Sequence, residues 1–246
     1  MNPKILVGCP THDGKAYCLK EYAEAVKNLD YDNYDAVLVD NSETEKYYNK
    51  LKGLGIKAWR LSEKNLTARD KIAACRNLLR KMAIEEYDYF LSLEQDVIPP
   101  KNIIRKLLSH SKKIVSAVYY MIMDDSSEQP LLWKLLDEKE LKKLVEKNPH
   151  LKEQVESIKQ KNAQMTKRYE KDELPKNQLI RIAACGLGAV MIHKDVLKQI
   201  IFRTNEGRVA YDDMFFCQDA LSKGFEIFAD TSVVCRHLQD ESFMKK

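Results

Sequence analysis

The chain has 246 residues, 44% of them hydrophobic and 32% charged, and a net charge of +4 with a pI near 8.5. That is ample apolar material for the core of one globular domain, and mild basicity suits phosphate ligands or anionic surfaces without singling out either. No apolar run approaches the roughly 20 residues a membrane helix requires, and the opening Met1-Asn2-Pro3-Lys4-Ile5-Leu6-Val7-Gly8 lacks the layout of a signal peptide.

Residues 4–9 are a short apolar run that breaks at Pro10-Thr11-His12-Asp13-Gly14. In 17–29, Leu19, Tyr22, Ala23, Val26 and Leu29 recur at helical spacing. A second buried strand is predicted over 34–39, closed by Asp40-Asn41-Ser42, then a charged helix over 44–51 that Gly53-Leu54-Gly55 stops. A weaker strand over 56–61 precedes Asn65-Leu66-Thr67-Ala68-Arg69 and a helix over 70–84, with Ile72, Ala73, Leu78, Leu79 and Met82 on one face.

Tyr89-Phe90-Leu91-Ser92-Leu93 reads as a strand in the middle of a sheet. It ends in Glu94, Gln95 and Asp96, ahead of Val97-Ile98 and two prolines that cannot continue a central strand. Carboxylates at i and i+2 of an extended chain point the same way, so Glu94 and Asp96 can address one site together. Strand carboxyl ends are where open α/β sheets hold ligands, and a hard divalent cation carrying phosphate oxygens wants one or two such carboxylates. A polar strand end before a Pro-Pro loop would read the same way. A helix over 102–109 and an apolar strand over 114–123 follow.

The strand–helix alternation over 4–123 argues for a mostly parallel sheet with helices on both faces. Right-handed crossovers would set Asp40, Glu94 and Asp96 along one edge, a nucleotide site without GxGxxG or GxxxxGK[ST]. Composition then shifts between 124 and 176: glycine disappears, Lys and Glu abound, and Leu135, Leu136, Leu141, Leu144, Val145, Leu151, Val155 and Ile158 form a broken helical stripe. This predicts a helical insertion over 124–178, a hairpin divided near Asn148-Pro149. It either packs on its own domain as a solvated amphipathic element or meets a membrane surface or partner.

Strand character resumes over 179–184, and Cys185-Gly186-Leu187-Gly188 is a tight loop before an apolar 189–193 and a helix over 195–201. Its glycines either permit a bend or admit a substrate against the backbone. A further helix opens at Tyr211-Asp212-Asp213 and closes on Gly224, and strand-like runs over 225–228 and 231–237 follow. Acids in a first turn suit the helix dipole without any catalysis. Cys9, Cys18, Cys75, Cys185, Cys217 and Cys235 include no CxxC pair, which speaks against structural disulfides or zinc and for a reducing cytoplasm.

In this order the pieces resemble the GT-A fold glycosyltransferases, above all the large inverting family 2-like group. The resemblance rests on Pro10-Thr11 with Val37-Leu38-Val39-Asp40-Asn41-Ser42, on Ala74-Cys75-Arg76-Asn77 ahead of the strand ending Glu94-Gln95-Asp96, on Gly186-Leu187-Gly188-Ala189, and on Asp212-Asp213 with Gly224 eleven positions beyond Asp213. The chain departs from the group in having Glu94-Gln95-Asp96 for Asp-x-Asp, Asp-Asp for Glu-Asp, and the 124–178 insertion.

The resemblance implies one catalytic domain over 1–246 that moves a sugar from a nucleotide-diphosphate donor to an acceptor hydroxyl with the help of Mn²⁺ or Mg²⁺. It implies Asp96 and His237 as metal ligands, although a late histidine is also often just a packed side chain. Pro10 and Thr11 would line the base, Asp40 the nucleoside, and Glu94 the ribose or a metal-bound water, with Gln95 beside them. Arg69 or Arg76 would serve the pyrophosphate as fork donor, against a plain helix-surface ion pair for Arg76. Asp213, with Asp212 as alternate, would take the acceptor proton, the helix start limiting any rise in pKa. Gly186, Leu187, Gly188 and Trp133 would form the acceptor side. The acceptor would be a glycan, lipid-linked or protein hydroxyl, and the location cytoplasmic or peripheral at the inner face of the membrane through 124–178. A nucleotidyltransferase of related fold is the alternative, though Gly8-Cys9-Pro10-Thr11-His12-Asp13-Gly14-Lys15 matches its loop poorly. A basic nucleic-acid-binding module ranks below both, because the aromatics are not interleaved with arginines.

Overall fold

A computed structural model describes residues 2–63, 65–123, 125–153, 155–156, 165–205 and 210–239. The first part is a run of strands and helices: β1 (Ile5–Thr11), α1 (Leu19–Lys27), β2 (Tyr34–Asp40), α2 (Glu45–Lys52), β3 (Lys57–Arg60), α3 (Ala68–Glu86), β4 (Tyr89–Leu93), β5 (Val97–Ile98), α4 (Ile103–Ser109) and β6 (Ile114–Val118). Next come β7 (Tyr120–Ile122), β8 (Glu128–Pro130), β9 (Leu132–Leu135), α5 (Glu138–Lys147), β10 (Thr166–Arg168), β11 (Leu179–Ile182) and β12 (Ala184–Cys185). The chain closes with β13 (Ala189–His193), α6 (Lys194–Leu197), α7 (Asp212–Ser222), β14 (Ile227–Val234) and β15 (Arg236–His237).

Eight strands form the central sheet in the order β11-β14-β6-β13-β4-β1-β2-β3. The pairs β1–β2, β1–β4, β2–β3 and β6–β14 are parallel, whereas β13 runs antiparallel to both β4 and β6, and β11 antiparallel to β14. The sheet is covered on both faces, which is why its strands are apolar throughout rather than alternating. Phe90 of β4 and Ile192 of β13 face one layer with Leu79 and Phe216. Leu91 and Met191, one residue away, face the other with Leu19, Tyr22 and Ile104.

Registers bring the ligand-ready ends together. Thr11 pairs with Asp40 across β1 and β2, and Leu93, the end of β4, pairs with Ala189, the start of β13. One edge of the sheet therefore carries Thr11, Asp40, Glu94 and the Gly186–Gly188 loop. α3 is a 19-residue helix whose Thr67 cap accepts from the Asp70 amide at 3.2 Å. Its buried face carries Arg76 among Ala73, Leu79 and Ala83.

Among its described residues the 124–178 segment holds strands as well as helix, where its leucine stripe predicts a hairpin of helix alone. The longest α-helix among those described residues is α5, opened by a capping box between Asp137 and Glu140. Leu135, expected on a helical stripe, ends strand β9, which joins β10 and β12 in a three-stranded sheet. Tertiary pairing decides this: β9 sits between two partners and presents Leu132 to the core. The second arm lies largely outside the described residues. The expected helix over 195–201 is the four-residue α6.

Candidate functional site

A cavity of about 330 Å³ opens at the carboxyl ends of β1 and β4. Of the residues singled out in the sequence, it brings together Pro10, Arg76, Glu94, Gln95, Asp96, Leu187, Asp212, Asp213 and His237. Thr11, Asp40, Arg69, Gly186, Gly188 and Trp133 do not line it.

The chain between β4 and β5 is a turn and not an extended strand end: the Val97 amide donates to the Glu94 carbonyl at 2.9 Å. Glu94 and Asp96 still face one cavity, but they serve different partners in it. Glu94 accepts from Arg76 Nη2 at 3.3 Å. Asp96 meets Lys15 Nζ and lies 3.5 Å from His237 Nε2, both through its Oδ2 oxygen.

β15 places the histidine. It pairs antiparallel with β5, His237 opposite Val97, and the Leu238 amide donates to the Asp96 carbonyl at 2.7 Å. His237 Nδ1 lies 3.0 Å from the Tyr120 carbonyl, so that nitrogen carries the proton and Nε2 is turned to Asp96. Burial, the largest single effect, would lower the pKa of His237, but the hydrogen bond to Asp96, the charges of Asp96 and Glu94 and the Tyr120 carbonyl together outweigh it and raise the pKa. Burial likewise pushes Asp96 up, yet the His237 hydrogen bond and the Lys15 charge bring it down to about 2.

Among the described residues no three His, Cys, Asp or Glu side chains converge as a complete metal cage. Two features nevertheless fit a divalent ion that takes most of its ligands from a substrate. Asp96 Oδ1 is buried with no hydrogen-bond partner, and the His237 ring has its far nitrogen on a backbone carbonyl, as metal-ligating histidines do.

Arg76 is neither a surface ion pair nor a free fork. It is 2% exposed, with Nε on Asp212 at 2.7 Å, Nη1 on Ser92 Oγ at 2.7 Å and Nη2 on Glu94. Ser92 in turn donates to the Leu187 carbonyl at 2.6 Å. The guanidinium thus ties α3, β4, α7 and the Leu187 loop together, with all three of its nitrogens, and three of its five N–H groups, bonded to protein. Arg76→Met would strand Asp212 without its cation, and a denaturant titration should show a loss of about 3–5 kcal/mol.

This network separates the two aspartates that open α7. Asp212 is buried and committed to Arg76. Asp213 borders the cavity, and its carboxylate accepts from the Met214 amide at 2.7 Å. Burial pushes Asp213 up to about 6, and the negative charges of Asp212 and Glu94 add to it against the Met214 hydrogen bond and Arg76. The helix start does not hold the pKa down as expected, because burial is the larger effect.

Gln95 is spent on protein. Its Oε1 accepts from Tyr47 at 2.9 Å and from Thr11, and its Nε2 donates to the Lys15 carbonyl at 2.6 Å. Thr11 is buried in the same contact. Asp40 is fully buried; its Oδ1 takes the Ser42 amide at 3.0 Å and the Ser42 hydroxyl at 2.5 Å, and Oδ2 has no partner. Arg69 lies 5.1 Å over the ring of Tyr211, which does line the cavity, so it stands one layer behind the rim.

The glycine loop makes room for a tyrosine of the protein itself. A Cβ on Gly186 or Gly188 would come within 2.1 or 2.6 Å of Tyr119, whose hydroxyl accepts from the Gly188 amide at 3.1 Å. Tyr119 itself lines the cavity. Trp133 is on β9, opposite Arg168 and Ala184, with the Arg168 guanidinium 5.0 Å over its ring. It is a packing residue of the small sheet. Sequence reasoning passed over Lys15, Tyr119 and His12, all of which reach the cavity. Lys15 had one signal, its place in the loop after the first strand.

No protein-family model and no curated protein sequence matches the chain. Solved structures do. The structure of GalNAc-T7 with UDP, GalNAc and Mn²⁺ superposes at a TM-score of 0.62 with 12% identity, over 96% of this chain and 44% of that one. The mannosyltransferase PcManGT from Pyrobaculum calidifontis, in complex with GDP-Man and Mn²⁺, gives 0.60 and 13%, over 98% and 58%. A197 from STIV gives 0.52 and 17%, over 97% and 87%. The chain therefore spans about half the length of the two glycosyltransferases. It has their GT-A fold, with a large, mostly parallel mixed sheet flanked by helices.

Proposed function

We propose that the protein transfers a sugar from a nucleotide-diphosphate donor to an acceptor hydroxyl, with inversion at the anomeric carbon. One observation carries the reading: a single cavity holds two carboxylates pushed in opposite directions, Asp96 down to about 2 and Asp213 up to about 6. Such a divergence separates a cation-binding carboxylate from a proton-accepting one. The fold shared with two nucleotide-sugar transferases supports it.

Asp213 takes the proton of the acceptor hydroxyl as its oxygen bonds the anomeric carbon. The bond from that carbon to the diphosphate breaks, and its electron pair leaves with the nucleotide. Asp96 and His237 would hold a divalent ion, Mn²⁺ or Mg²⁺, which when bound offsets the charge that grows on the diphosphate. Arg76 and Asp212 keep the start of α7, and hence Asp213, in place. Leu131, within the 124–178 segment, lines the cavity beside Met121. That supports the segment as the acceptor side, receiving a glycan, lipid-linked or protein hydroxyl. Among the described residues no helix is long and apolar enough to cross a membrane.

Lys15 favours a second reading, since a lysine after the first strand also serves nucleotidyltransferases of this fold, which join a nucleoside triphosphate to a sugar phosphate. Thermal melting separates the readings. UDP or GDP with Mn²⁺ should raise the melting temperature, by the equivalent of about 2.7 kcal/mol at a hundredfold excess over Kd. Stabilisation by nucleoside triphosphates alone would favour the second reading. Stabilisation by oligonucleotides alone would overturn both.

A further inference from the structure

Lys15 is the charged side chain at the site whose placement neither the fold nor the scheme above requires. Its backbone is fixed at both ends of a short turn: the amide donates to the His12 carbonyl at 2.9 Å, and its own carbonyl accepts from Gln95 Nε2 at 2.6 Å. Gln95 adjoins Asp96, so the residue that clamps the lysine also sets the carboxylate it reaches. The Lys15 ammonium sits on Asp96 Oδ2, the same oxygen that faces His237 Nε2, while Oδ1 remains buried and unpartnered. The side chain is 32% exposed against 7% for Asp96, so the lysine is free to leave and the carboxylate is not.

We propose that Lys15 is a resident counter-ion of Asp96, which yields the carboxylate when a divalent ion binds and then turns its charge on the donor's diphosphate. This rests on the donor and ion reading given above. Asp96 is too buried to stand ionised without partners, and Lys15 supplies the ammonium that, with His237 on the same oxygen, holds it until the ion arrives. Both cations draw on one carboxylate, so the lysine opposes the ion when the ion comes alone. Once a diphosphate is present there are oxygens enough for both. The released ammonium is then a point charge on a flexible stem at the edge of the cavity, the form in which lysine binds phosphate.

The two halves have opposite signs, which makes them testable together. Mn²⁺ alone, titrated by calorimetry or by the EPR signal of the free ion, should bind K15M about tenfold or more tightly than wild type, the scale on which a nearby like charge acts. At saturating Mn²⁺, UDP or GDP should bind K15M about 10- to 100-fold more weakly, the value of a hydrogen bond to a charged group. K15R keeps the charge and should resemble wild type in the first titration. K15Q repeats both titrations should K15M melt early. Equal or weaker Mn²⁺ binding in the neutral variants overturns the proposal, as does unchanged nucleotide affinity. Should wild type bind neither Mn²⁺ nor a nucleoside diphosphate, the functional reading itself falls; should it bind both and the variants change neither, only the role of Lys15 does.

Discussion

Asp213→Asn should lose turnover by about 10²–10⁴-fold, the usual value of a general base, while binding UDP or GDP and Mn²⁺ as wild type does. The wild-type rate should rise with pH through about 6, where the Asp213 carboxyl ionises, and the residual rate of the variant should lack that rise. A stability measurement gives an independent sign. The Asp213 pKa is raised from 3.8 to about 6, so the folded protein holds the proton more tightly than the unfolded chain does. Wild type therefore loses stability as pH rises through that window, and at pH 7 it carries the full cost of a buried, ionised carboxylate. Asparagine carries none of it. The dead variant should melt higher than wild type at pH 7, and the gap should close towards pH 4. Asp212→Asn should do the reverse and melt lower, because it weakens the partner of Arg76. Normal turnover in Asp213→Asn, or a product that retains the donor's configuration, would refute the assignment.

Asp96→Ala should abolish the contribution of Mn²⁺ to nucleotide binding. The readout is the ratio of UDP or GDP affinities with Mn²⁺ and with EDTA, taken by calorimetry. In wild type that ratio should be large, and in Asp96→Ala it should fall close to one. His237→Ala should lower it by more than the roughly 10–100-fold that loss of a supporting residue costs a metal site. The ratio matters more than either affinity, since the alanine leaves Lys15 and His237 unpaired in the cavity and free to attract phosphate by themselves. An equal ratio in variant and wild type would make Asp96 a structural partner of Lys15 and nothing more.

The strand ends were legible because the chemistry there is local. Glu94 and Asp96 follow a run that only a buried strand explains, and the offset from Asp213 to Gly224 fits a helix of the length found, with Gly224 at φ 78° past its end. What escaped the sequence depends on distant partners. Helical spacing puts Arg76 on the apolar face with Ala73 and Leu79, but a charge in a core has no meaning until its partner is known, and Asp212 is 136 positions away. Lys15 and Asp96 are 81 positions apart, with nothing in either neighbourhood to link them. Gly186 and Gly188 signalled close approach correctly, but the approaching group is Tyr119 of the protein itself. Around Trp133, a strand of four residues is too short for alternation to outvote the leucines that suggest a helix.

The placement of β13 has a consequence for how the molecule comes into being. That strand lies between β4 and β6, antiparallel to both, yet it is synthesised after either of them. A nascent chain emerging from the ribosome therefore carries β4 and β6 with their facing edges open, and it cannot seal them by pairing one with the other without shutting out the strand that belongs there. Unpaired, apolar edges invite other chains, so this protein should depend on chaperone cover, or on slow translation, during that interval. Asp213 and His237 arrive later still. On the proposed function, an unfinished chain would hold Lys15 and Asp96 without Asp213 or His237, and so would have no means of spending a donor before it is whole.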